Sequence, residues 1–207
     1  RSVFMNKSFI IKIIAFCLVT IKANAIEKVV LFGDSLMAGY GLPNDQHLSV
    51  VLQKNLKSKG HEIEIINGSV SGSTSSSGLN RVKWTLSTPD IDVMILNLGA
   101  NDMLRGISPR ETKNNLEKII KIAQDKKIEV VLAGMIAPSS HGYEYKKKFD
   151  KIYPELSTKY NLIYIPFLLE GVALNPELNL SDGMHPNSNG VKIISNTLEK
   201  KIIPLVK

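Results

Sequence analysis

The sequence is poor in the groups that carry thiol and metal chemistry, with one cysteine, four histidines and one tryptophan in 207 residues. Cys17 lies inside an apolar stretch at residues 9–21, and Phe16 before it is too large for the small residue that precedes a lipid-attachment cysteine. From residue 26 onward there is no thiol, which excludes a thiol nucleophile, a disulfide framework and a thiolate metal site from that part of the chain. Low-complexity tracts and fixed-period repeats are missing too. With 43% hydrophobic and 22% charged residues the composition is globular.

Acidic residues are absent from the first 25 positions, which hold Arg1, Lys7, Lys12 and Lys22. The formal charge of +7 is therefore misleading. Setting those four aside leaves an excess of three basic residues over the 19 acidic ones. The remaining lysines, such as Lys146–Lys148, Lys200 and Lys201, are scattered without interleaved aromatics, so no nucleic-acid partner is expected. The same segment combines an early lysine, an apolar run and the ending Ala23, Asn24, Ala25. That pattern predicts a secretory signal peptide over residues 1–25, with residues 1–4 upstream of the first methionine, and a periplasmic or secreted product. Lys12 interrupts the run and Lys22 sits just before the cleavage site, which keeps an uncleaved anchor as the alternative. Residues 26–207 are then expected to form one domain with a sizeable core.

Within that domain short β-branched runs alternate with helical periodicity. Strands are predicted at residues 29–32, 63–67, 91–98, 128–134 and 162–165. Helices are predicted at residues 48–59, 75–87, 109–126, 143–160 and 186–203, with a kink or start at Pro154 and with Pro186 in the first turn of the last one. Strands apolar on both faces and separated by helices imply a central parallel sheet of about five strands in a three-layer α/β/α sandwich. Ligands of such open sheets bind beyond the carboxyl ends of the strands.

Four polar motifs fall on that rim. Gly33-Asp34-Ser35-Leu36 follows the first strand and puts Ser35 on a turn; alone, it reads equally as a helix cap. Asn67 to Thr74 is a glycine-rich loop in which Gly72 lets its amide approach a ligand; the lysine of a phosphate-binding loop is missing. Gly99-Ala100-Asn101-Asp102 presents a side-chain amide able to donate to an oxyanion, while Asp102 reads as a cap of the following turn. In Asp182-Gly183-Met184-His185-Pro186 a carboxylate stands three positions from an imidazole. Imidazole, with an ordinary pKa of about 6.5, is a natural base for a serine hydroxyl, and a carboxylate on its other nitrogen fixes its tautomer. A structural pair or a metal half-site is the competing reading, but no second histidine or further acid stands at helical metal spacing, so no metal or other cofactor is expected. His47, His61 and His141 read as surface residues.

In this order the four motifs resemble the blocks of the GDSL/SGNH hydrolase family, and the resemblance runs from Val29 to the final helix. It implies a flavodoxin-like SGNH-hydrolase fold and a serine esterase or thioesterase working through an acyl-enzyme. By position it implies Ser35 as nucleophile, His185 as general base and acid and Asp182 as orienter. The Ser35 amide, the Gly72 amide and the Asn101 side chain would form the oxyanion hole. The expected partner is a small acyl ester or thioester, such as a lysophospholipid, met by a monomer with at most transient contact with membrane lipid. Leu36, Met37, Leu104, Ile107, Leu168 and Leu174 in or beside the rim loops favour a fatty acyl group over the alternative of carbohydrate O-deacetylation. A non-catalytic lipid-binding envelope protein is the rival outside enzymology.

Overall fold

The computed structural model describes residues 27–206; the expected signal peptide lies outside the described residues. Five strands, β1 (Lys28–Gly33), β2 (Glu64–Asn67), β3 (Val93–Asn97), β4 (Glu129–Ala133) and β5 (Ile163–Ile165), pair in parallel in the order β2-β1-β3-β4-β5. Val29, Val30, Leu31 and Phe32 are all fully buried. A strand with no polar alternation needs cover on both faces, and helices supply it. These are α1 (Ser35–Ala38), α2 (Leu48–Ser58), α3 (Ser75–Thr85), α4 (Ala100–Leu104), α5 (Pro109–Asp125), α6 (Tyr143–Phe149), α7 (Ile152–Tyr160) and α8 (Ser188–Ile202). Packing joins α2 to α8, α3 to α5 and α5 to α7. The three-layer α/β/α sandwich with a five-stranded parallel sheet is thus the observed fold.

Local signals explain the element ends. Helix α5 starts where the Ser108 side chain accepts from the Glu111 amide and Pro109 fills the first position, and it buries Leu116, Ile119, Ile120 and Ala123 at helical spacing. Helix α3 opens on a reciprocal capping pair between Thr74 and Ser77. Two expectations about proline need correction. The helical stretch over residues 143–160 breaks at Asp150 and Lys151, not at Pro154, because a proline ring obstructs the carbonyl four residues earlier and so forces the break one turn upstream. Pro186 is not in the first turn of α8. It forms an isolated antiparallel bridge with Asn179, and Asn187 caps the helix by accepting from the Asn189 and Gly190 amides.

The topology positions the site. From β1 the chain moves outward to β2 and then crosses back over β1 to β3, so the connections leaving β1 and β3 diverge and open a crevice at their carboxyl ends. Gly33 is in register with Asn97 there. The turn after β1 and the turn after β3 are therefore level with each other, and both sequence motifs with side-chain chemistry open side by side.

Candidate active site

The turn after β1 is held from below. Asp34 caps α1: its Oδ1 accepts from the Leu36 amide at 3.0 Å, and its side chain is fully buried. Ser35 is then the first helical residue, and its hydroxyl is not used as the cap. Arg81, from α3, lies 4.0 Å over the Phe32 ring and donates to the Gly33 carbonyl at 2.8 Å and also to the Gly68 carbonyl. One guanidinium thereby ties the Ser35 turn to the start of the loop after β2. Burial lowers the Arg81 pKa from its ordinary value, and the nearby Asp34 charge opposes that shift.

Ser35 and His185, 150 residues apart, meet on this rim, with the imidazole Nε2 2.9 Å from the Ser35 Oγ. His185 Nδ1 lies 2.6 Å from Asp182 Oδ2. A carboxylate can only accept, so Nδ1 carries the proton and Nε2 is left to accept from the hydroxyl. The other Asp182 oxygen accepts from the Met184 and His185 amides at 2.9 and 3.0 Å, so the carboxylate is fixed before it touches the ring. Those two amides, followed by the imidazole, hold the Asp182 pKa down at about 2. The Tyr40 ring packs 4.4 Å from the imidazole, tilted by 37°.

Gly72 and Asn101 line the same cleft as Ser35 and His185. Gly72 has a φ of +78°, and an added Cβ would find its nearest atom 3.9 Å away. The glycine is favoured there by the left-handed backbone. Asn101 Nδ2 donates to Asp34 Oδ2 at 3.2 Å. Burial pushes the Asp34 pKa up to about 6 in spite of the Leu36 and Asn101 hydrogen bonds. Asp102, expected to cap a turn, is instead fully buried inside α4 and accepts from the Ser75 amide at 2.7 Å and from the Ser75 and Thr112 hydroxyls. It braces the Asn101 segment against α3 and α5. Beneath that segment the Tyr153 hydroxyl donates to the Leu98 carbonyl at 2.9 Å, so close to Gly99 that any Cβ there would collide with it.

In front of these groups lies an open cleft of about 620 Å³ whose walls are mainly apolar. The rim hydrophobes sort into two sets. Leu36, Leu104 and Leu174 line the cleft, while Met37 and Leu168 belong to the core and Ile107 lies outside the lining. Met103, Met135, Ile136 and Phe167 are among the other apolar residues of the walls. Leu174 has a left-handed backbone, with a φ of +64°, and its side chain is 93% exposed. Leucine adopts that conformation at a cost of roughly 1–2 kcal/mol, and here it places an apolar side chain at the cleft mouth.

The three other histidines are half-buried, not surface residues. His47 bonds to the Leu42 carbonyl at 3.1 Å behind the Ser35 turn, and His141 packs on Tyr145. Sequence reasoning missed Arg81 and the Asp34–Asn101 contact. Neither has a spacing signature, because each depends on which loops the sheet order brings together. Among the described residues no group of three or more His, Cys, Asp or Glu side chains could hold a metal ion, and no helix is long and apolar enough to cross a membrane.

A serine hydroxyl, an imidazole and a carboxylate in line, at the carboxyl edge of a parallel sheet and facing an apolar cleft, define a hydrolase of acyl compounds as a class. Residues 31–193 match the profile of the GDSL-like Lipase/Acylhydrolase family. The chain is 34% identical to an arylesterase of Vibrio mimicus, over 92% of this chain and 95% of that protein. It is 32% identical to the thioesterase 1/protease 1/lysophospholipase L1 of Escherichia coli K12, over 91% of this chain and 89% of the relative. The crystal structure of AlinE4, an SGNH-hydrolase family esterase, superposes with a TM-score of 0.73 at 40% identity, covering 88% of this chain and 97% of that one. The chain belongs to the GDSL-like lipase/acylhydrolase family and is a carboxylic ester hydrolase.

Proposed function

We propose that the protein hydrolyses fatty-acyl esters and thioesters, lysophospholipids among them, through an acyl-enzyme on Ser35. The observation that carries this reading is the hydrogen-bonded line from Ser35 through His185 to Asp182, opening into an apolar cleft. Ser35 Oγ attacks the acyl carbonyl carbon as its proton passes to His185 Nε2. The negative charge that develops on the carbonyl oxygen is received by the Ser35 and Gly72 amides and by the Asn101 amide. Collapse breaks the bond to the leaving alcohol or thiol, which takes the proton from His185. Water then loses a proton to the same nitrogen, attacks the acyl carbon, releases the acid and returns the proton to Ser35. Asp182 stays ionised throughout and keeps Nδ1 protonated.

The mainly apolar walls support an alkyl chain over an acetylated sugar, which would need polar partners along the cleft. The basic, apolar segment at residues 1–25 supports export, which favours lysophospholipid or another envelope ester as substrate and transient contact of a monomer with lipid. The test is hydrolysis of p-nitrophenyl octanoate against p-nitrophenyl acetate by the wild type and Ser35→Ala. A higher kcat/KM for octanoate, abolished by the substitution, is expected. Equal or better use of acetate would overturn the fatty-acyl assignment, and wild-type rates in Ser35→Ala would overturn the mechanism.

A further inference from the structure

We infer that Asp34 is a positioning residue that decides which end of the Asn101 amide faces the reacting carbonyl. The inference rests on the reading of Ser35 and Asn101 given above and goes further by assigning Asp34 a task in the reaction.

An asparagine side chain has one end that donates and one that only accepts, and the two have almost the same shape. Only the Nδ2 end can stabilise an oxyanion; a flipped amide would set Oδ1 against the developing negative charge. Something must therefore choose between two nearly isosteric orientations. Asp34 Oδ2 stands 3.2 Å from Asn101 Nδ2. An ionised carboxylate has no hydrogen to give, so with the amide reversed two acceptors would face each other beside a carboxylate that is itself fully buried. Nδ2 carries two hydrogens. One is held by Asp34, and the second remains for the cleft that Asn101 lines together with Ser35 and Gly72.

The carboxylate itself has little freedom to turn. Its Oδ1 is held by the Leu36 amide at 3.0 Å, which also ties it to the turn that carries Ser35. The charged and titratable groups that act on it are Arg81 from α3, Asp102 from α4, Tyr153 from α7 and His185 from the loop before α8. With a pKa of about 6, Asp34 is an acceptor at neutral pH. Nucleophile and oxyanion donor are thus indexed to one side chain, which lies directly before the nucleophile in the sequence.

The test is a double-mutant cycle on kcat, using the full chain with Asp34→Asn, Asn101→Ala and both together. Asparagine keeps the size of aspartate and is equally good as a helix cap, but it turns an amino group toward Asn101 and so favours the reversed amide. Asp34→Asn is expected to lower kcat about 10- to 100-fold, within the range for losing an oxyanion donor, with KM changed less than about twofold. In the Asn101→Ala background the same substitution should cost less than about threefold, since there is no amide left to orient. Equal losses in both backgrounds would overturn the inference, because a merely structural role is additive. So would an unchanged kcat in the single variant. If Asp34→Asn does not fold, Asp34→Ser, which also caps a helix well, is taken through the same cycle with the same two readings. Fluorophosphonate labelling of wild-type Ser35 separates the two levels. Its absence would overturn the proposed function itself, whereas labelling with an additive cycle overturns only the role of Asp34.

Discussion

Asp182 and Asn101 act at the scale of single hydrogen bonds, and their removal should be read there. Asp182→Asn keeps the shape but can donate where the carboxylate could only accept, so it favours the imidazole tautomer with Nε2 protonated. A loss of about 10⁴-fold in kcat is expected, as when the orienting acid of a serine triad is neutralised. Asn101→Ala removes one of the three oxyanion donors proposed above and should cost about 10²- to 10³-fold in kcat with KM little changed. Steady-state kinetics on a p-nitrophenyl ester check both. The five residues assigned to the site, Ser35, Gly72, Asn101, Asp182 and His185, were legible in the sequence because each lies in a short motif just after a strand or before a helix. Asp34 was hidden in plain view. Its neighbour drew attention as the reactive group, and its partner Asn101, 67 positions away, has no local trace.

At the scale of elements, two side chains join parts that the chain order keeps apart. Arg81 on α3 bonds the carbonyl before Asp34 and the carbonyl that opens the Gly72 loop. Arg81→Met leaves both carbonyls without that donor, so stability should fall by about 1–3 kcal/mol. For a domain of this size that corresponds to a fall in Tm of about 2–4 °C per kcal/mol, measured by thermal unfolding. Leu174 presents the opposite balance, backbone strain retained for an exposed apolar side chain. Leu174→Asn should leave Tm unchanged or raised, because asparagine tolerates a left-handed backbone. It should also reduce kcat/KM for octanoate more than for acetate. Periodicity revealed the five strands and the long helices, since burial on both faces or on one stripe is written into the residue pattern. The short α1 and α4 were not legible, because four- and five-residue helices have no period to read. The break before α7 was misplaced by one turn for a steric reason that acts four residues away from the proline.

For the whole molecule, two carboxylates of the site give stability opposite pH dependences. Asp182 is held at about 2, below its ordinary 3.8, so its contribution is present above that ordinary value and is lost as the pH falls through about 2. Asp34 is raised to about 6, so its contribution is present below 3.8 and is lost as the pH rises through about 6. Ionising Asp34 in its buried place costs the folded state about 3 kcal/mol at most. Asp34→Asn should therefore be more favourable to stability, relative to the wild type, at pH 7 than at pH 4. Urea unfolding at the two pH values measures it, and an equal difference at both would show that Asp34 is not strained by its charge. The protein thus holds in its core a carboxylate that weakens it at neutral pH, directly before Ser35.

The claim that everything else follows from is that acyl groups pass through the Ser35 oxygen. Intact-mass spectrometry of the protein quenched in acid during turnover of p-nitrophenyl octanoate, followed by peptide mapping, measures this directly. The account predicts one added octanoyl group on the peptide that contains Ser35, absent from Ser35→Ala. An octanoyl group on another residue, or turnover by Ser35→Ala at the wild-type rate, would contradict it.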